Sequence, residues 1–147
     1  MSKYAKKLVI NTHEKALAAF LGCNVDDVSE MSYKQYGAPS FEAEGKEYIV
    51  ATDDEANDAV TEYIKDSVWA FNASFLASMT DVPEEAFSSL KDQCESGNDW
   101  VLRLIEKTCG LSDFVDAAVS ADGRGHFLSS YDGNENESGE YFIYRTN

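Results

Sequence analysis

Four acids stand four residues apart in the middle of the chain: Asp54, Asp58, Glu62 and Asp66. On an α-helix that spacing places them on one face, and successive members climb about 6 Å along the axis. Such a row has one chemistry to offer, the electrostatic capture of cationic groups. Like charges at this spacing destabilise a helix by roughly 0.2–0.5 kcal/mol per pair, so three contacts cost about 0.6–1.5 kcal/mol. Asp53 and Glu55 crowd the N-terminal end, and Lys65 is the one base near the row. The helix dipole relieves only the first turn. Two accounts compete. Either the row is a solubilising face, or its carboxylates stand in for nucleic-acid phosphates, which run at one charge per roughly 1.7 Å of duplex axis. In the second account the row binds the basic cleft of a nucleic-acid-binding protein, steered by charge.

A second acidic group, Asp132, Glu135, Glu137 and Glu140, lies in a polar stretch with no base. Its first residues place oxygen ligands at positions one, three and five of an EF-hand loop. Position six is Glu137 where glycine is needed, and position twelve is Ile143 where glutamate is needed, so the motif fails and no metal is assigned. These acids are expected to join the partner-binding surface. Residues 42–62 add to it, with eight acids against Lys46 alone.

Arg124, His126 and Asp132 form the remaining candidate. They sit in Gly123-Arg124-Gly125-His126 and Tyr131-Asp132-Gly133, beside Ser129 and Ser130, and could build a small enzyme or ligand site. Serine catalysis needs a positioned base and an oxyanion hole, and no GxSxG elbow is present. There is no P-loop, dinucleotide fingerprint or HExxH. The other histidine, His13, falls at a helix start without two further ligands. No catalytic residue and no cofactor is assigned. Tyr141, Phe142 and Tyr144 fit a half-buried strand better than a base-stacking platform amid so much negative charge.

The 147 residues carry 27 acids against 12 bases, a formal net charge of −15. That excludes nucleic acid and anionic membranes as direct partners and favours basic proteins. The 44% apolar content and the eight Phe and eight Tyr exclude a disordered chain. Cys23, Cys94 and Cys109 are odd in number and lack CxxC spacing, which predicts free and mostly buried thiols. The basic N-terminus has no apolar run behind it, and no stretch reaches the roughly 18 apolar residues of a membrane span. The expectation is a single-domain, soluble protein of the cytoplasm. The oligomeric state is left open, a homodimer included.

The elements that must position these groups follow from caps and periodicity. Leu8-Val9-Ile10 reads as a short strand or the lead-in to a helix capped by Thr12 and ended by Gly22. Val25–Glu30 adds a turn. A strand is expected at 32–36, then a hairpin at 40–51 turning at Gly45. Thr52 and Glu55 form a capping box for one long central helix over 52–79, with apolar residues at Ala56, Val60, Ile64, Val68, Phe71, Phe75 and Met79. Its first half should face water and its second half should be buried. Further helices follow from Asp81 as a cap with Pro83 in the first turn, from Asp99 to Cys109, and from Ser112. A closing strand pair is expected at 126–131 and 140–145. The two β segments, 32–51 and 126–145, are too small to stand alone and should pair into one antiparallel sheet of about four to five strands. The helices would cover it, giving an α+β fold of two layers.

Three stretches are similar to segments of small, acidic, uncharacterised bacteriophage and prophage proteins: Lys46–Ala56, Trp69-Ala70-Phe71-Asn72 and Gly123–Gly133. The resemblance spans roughly residues 30–147. Proteins of that size and charge include nucleic-acid mimics that inhibit host restriction or CRISPR machinery. The resemblance thus implies a host-defence inhibitor acting in the host cytoplasm on a basic host protein, and it implies no catalytic residue.

Overall fold

A computed structural model of the chain describes residues 9–147, so Leu8 of the expected N-terminal element lies outside them. The architecture is α+β. Helix α1 (His13–Leu21) precedes strands β1 (Val28–Glu30), β2 (Ser40–Ala43) and β3 (Lys46–Thr52). Helices α2 (Asp53–Ser67), α3 (Ala73–Thr80), α4 (Glu84–Lys91), α5 (Asn98–Lys107), α6 (Leu111–Asp122) and α7 (Arg124–Leu128) follow, and β4 (Asn136–Ser138) and β5 (Tyr141–Arg145) close the chain. Two compact units divide it, one of residues up to Ala59 with Leu128–Asn147, the other Val60–Phe127.

The first unit is built on one antiparallel sheet in the order β1-β2-β3-β5-β4. The hairpin between β2 and β3 turns at Glu44 and Gly45, with φ of 55° and 76°; glycine takes that positive φ without a steric penalty. Period-two alternation sends Phe41, Ala43, Tyr48, Val50 and Ile143 to one face, where they pack with Ala16, Leu17 and Ala18 of α1. The other face carries Ile49, Ala51 and Tyr144, each fully buried. Helix α1 starts where Thr12 accepts the Lys15 N–H at 3.1 Å and ends at Gly22 in the left-handed region.

The closing strands lie elsewhere than the sequence predicts. Residues 124–128 form α7, with Phe127 and Leu128 both buried, instead of a strand at 126–131. Strand β4 takes Asn136–Ser138 from the stretch read as a polar loop. Ser138 explains it, because its buried hydroxyl donates to the Ala16 carbonyl at 2.7 Å and ties β4 to α1. A two-residue turn, Gly139-Glu140, then leads into β5. At Gly139 φ is 61°, and an added Cβ would lie 2.9 Å from Ile10 Cγ2. Gly139→Ala should therefore destabilise the fold by about 1 kcal/mol or more, read as a lowered urea midpoint. An unchanged midpoint would show that Ile10 simply moves aside. Likewise the strand expected at 32–36 is a loop with a tight turn at Tyr36-Gly37, and the first strand is Val28–Glu30.

In the second unit the helix expected over 52–79 is interrupted. Helix α2 stops at Ser67, Val68–Ala70 form a 3-10 turn, and α3 begins at Ala73. The Ser67 hydroxyl donates back to the Tyr63 carbonyl at 2.7 Å, a local bond that competes with the helical ladder. Asn98 stabilises the break, its amide donating to the Lys65 carbonyl at 2.8 Å and accepting the Trp69 N–H at 3.1 Å. Asn72 then caps α3 by accepting the Ser74 N–H at 2.9 Å. Asp81 does not open α4. It closes α3 with φ 61°, and Pro83 stands before Glu84 at the start of α4. Phe71, Phe75 and Phe114 meet at centroid distances of 5.2–6.0 Å in this unit's core.

Candidate functional site

Helix α2 presents the acid row. Fifteen unbroken helical residues carry Asp54, Asp58, Glu62 and Asp66, and all four are exposed. Their apolar counterparts Ala56, Ala59, Val60 and Ile64 are buried, so packing of one stripe fixes the opposite face toward water. Lys65 reaches Glu62 at 3.6 Å, and a pair this exposed contributes little. Asp54, Asp58 and Asp66 have no ion pair or side-chain hydrogen bond among the described residues. The row is thus a line of solvated carboxylates at the helical repeat, with one base along it.

The row begins at a device the sequence reading only half anticipates. Thr52 accepts the Glu55 N–H at 3.2 Å, and Glu55 accepts the Thr52 N–H at 2.8 Å, completing the capping box. His13 adds to it: Nε2 lies 2.7 Å from the same Glu55 oxygen. The imidazole stacks on Phe41 at 6.0 Å and meets the Tyr141 ring edge-on at 4.9 Å. His13 and Glu55 are 42 residues apart, and no sequence signal joins them. Partial burial pushes the Glu55 carboxyl up, but the Thr52 N–H, the His13 hydrogen bond and the His13 charge outweigh it and hold the group below its ordinary value. A carboxyl held low in the folded chain stabilises the fold above its unfolded pKa, and that contribution is lost as pH falls through the folded value. Glu55→Gln should flatten the loss of stability on acidification below about pH 4.3, measured as Tm against pH. Parallel curves for variant and wild type would sink the linkage.

The structure splits the second acidic group. Asp132 serves its own turn, with Oδ1 2.7 Å from the Ser129 hydroxyl and 3.0 Å from the Asn134 N–H. Those two hydrogen bonds hold its carboxyl below the usual range. Glu135 accepts the Tyr144 hydroxyl. Glu137 on β4 and Glu140 in the following turn are exposed. All four are exposed, Asp132 and Glu135 with one protein hydroxyl partner each. Among the described residues no three His, Cys, Asp or Glu side chains are grouped to hold a metal ion.

Arg124 and His126 share α7, and His126 lines a pocket with Asp122. Neither Arg124 nor Asp132 is on its wall. The candidate trio is not one site in this pocket. Cys23 and Cys109 are half-buried free thiols, while Cys94, expected inside, is exposed on a surface turn. No helix is long and apolar enough to cross a membrane among the described residues. No protein-family model, no curated protein and no solved structure matches the chain. Charge and geometry carry the functional reading.

Proposed function

We propose that the protein acts by binding, using the exposed carboxylate row of α2 to occupy the cation-lined groove of a basic, nucleic-acid-binding protein. One observation supports this above the others. Four carboxylates stand in line on an unbroken helix, three of them without a protein partner, in a chain of net charge −15. An arrangement that costs helix stability and gains no internal contact is accounted for by an external cation. Glu137 and Glu140 extend the acidic surface of the first unit. The resemblance to small acidic phage proteins supports a host-defence protein as the target, with the nucleic acid it normally holds displaced. The test is a pull-down of host proteins at about 50 mM and about 500 mM salt, because exposed ionic contacts weaken with screening. A nucleic-acid-binding protein retained at low salt, and released by added DNA or RNA, is the expected result. Recovery of no basic protein at either salt would leave the row as a solubilising face.

A further inference from the structure

The helical unit contains a pocket of about 250 Å³ whose walls suit a particular kind of ligand. Three aromatic rings line it: Tyr63 from α2, Phe71 from the segment after the 3-10 turn, and Phe127 from α7. Phe71 and Phe127 are nearly parallel, 17° apart with centroids at 6.1 Å, and Tyr63 inclines to Phe127 by 54° at 5.8 Å. The Phe71 ring also packs on Phe114 and Phe75, at 5.2 and 6.0 Å between centroids. At the rim stands Asp122, in the last turn of α6, with no hydrogen bond or ion pair to its carboxylate among the described residues. The Ser67 hydroxyl, also on the wall, spends its proton on the Tyr63 carbonyl and keeps its lone pairs as acceptors. No Lys or Arg lines the pocket.

Every one of these features selects for positive charge. Aromatic faces carry negative electrostatic potential and attract ammonium groups, most strongly where water is excluded. A carboxylate at a helix C-terminus adds its own charge to the negative end of the dipole. The unit as a whole, Val60–Phe127, holds twelve acids against five bases, which raises the local concentration of cations. His126 and Asn72, the cap of α3, complete the wall, and no lysine or arginine is there to hold an anion. We infer that this pocket is a binding site for an organic ammonium group, an alkylated amine or the side-chain terminus of a lysine, set against the aromatic wall of Tyr63, Phe71 and Phe127 with Asp122 as counter-ion. None of the four residues of the α2 row lines it, so it stands or falls separately from that surface.

Titration of the full chain with tetramethylammonium, followed by NMR of the ring and methyl resonances, tests the site. Saturable shifts of Tyr63, Phe71 and Phe127 are expected, with neopentyl alcohol, an uncharged molecule of similar shape, binding at least about tenfold more weakly. Asp122→Asn, at an exposed position that leaves packing intact, should weaken the cation and spare the alcohol. Tyr63→Leu keeps an apolar wall but removes one ring, and should also favour the alcohol. Equal affinity for the two probes, or no saturable shift with tetramethylammonium, would overturn the inference. A lysine-rich peptide and its trimethyl-lysine counterpart then separate the sources. Competition with tetramethylammonium at about tenfold or greater advantage assigns the group to a basic polypeptide, while peptides no tighter than the free ion assign it to a small amine.

Discussion

Reversing three members of the α2 row, Asp58→Lys, Glu62→Lys and Asp66→Lys together, should weaken the complex with a captured basic partner by about a hundredfold or more. The change moves the local charge by six units on a face whose acids are exposed and, Glu62 apart, unpaired by the described residues. Wild-type affinity should fall steeply as salt rises, and that salt dependence should nearly vanish in the variant, because the screened term has been removed. The fold should survive. None of the three side chains packs in the core, and along the helix the contact between Asp54 and position 58 becomes an attraction worth about 0.2–0.5 kcal/mol while the other two remain like-charge pairs. Unfolding in urea and far-UV circular dichroism would therefore stay close to wild type. Undiminished binding in a folded variant would remove the row from the mechanism, and Glu137→Lys with Glu140→Lys would then be the pair to examine.

Phe41→Ala should cost about 3–5 kcal/mol, the largest effect on stability expected of a single substitution in the sheet unit. Phe41 is 2% exposed and packs among Leu17, Ala43, Tyr48 and Ile143, where α1 lies on the sheet. Its ring also carries the His13 imidazole, which in turn holds Glu55 at the start of α2. The truncation thus leaves a cavity and loosens the support of the α2 cap, a second loss of roughly 0.5–2 kcal/mol by the usual value of a cap. Against a total stability of about 5–15 kcal/mol, the sum is a large fraction. Phe41→Leu, which restores most of the volume, should recover more than half of it. A loss below about 1 kcal/mol for the alanine variant would mean that the site collapses around the gap, and that α1 is held mainly by Leu17 and the Ser138 bond.

The sequence by itself determined the local grammar of this protein. Thr12, Gly22, Gly45 and the Thr52/Glu55 box each act within a few residues of where they stand. Their effects are visible in composition, and the structure keeps all of them. The exposed half of α2 was equally legible, because the acid row and the apolar stripe share one period. The α+β class followed from two β segments that could not stand alone.

What the tertiary structure decided are the features that depend on a partner far away in the chain. Helix α2 ends at Ser67 because Asn98, more than thirty residues away from Lys65, satisfies the carbonyl and the N–H that the break exposes. The apolar stripe runs on through Val68, Phe71 and Phe75 because those residues remain in the core, so periodicity continues where the helix does not. Strand β4 forms in a polar stretch because Ser138 meets the Ala16 carbonyl across 122 residues. Asp132 and Glu135, indistinguishable in sequence from Glu137 and Glu140, each meet a protein hydroxyl, of Ser129 and Tyr144, at the surface. Spacing along a chain reports which side chains share a face; whether a polar group on that face meets water or a protein donor is settled only when distant segments come together.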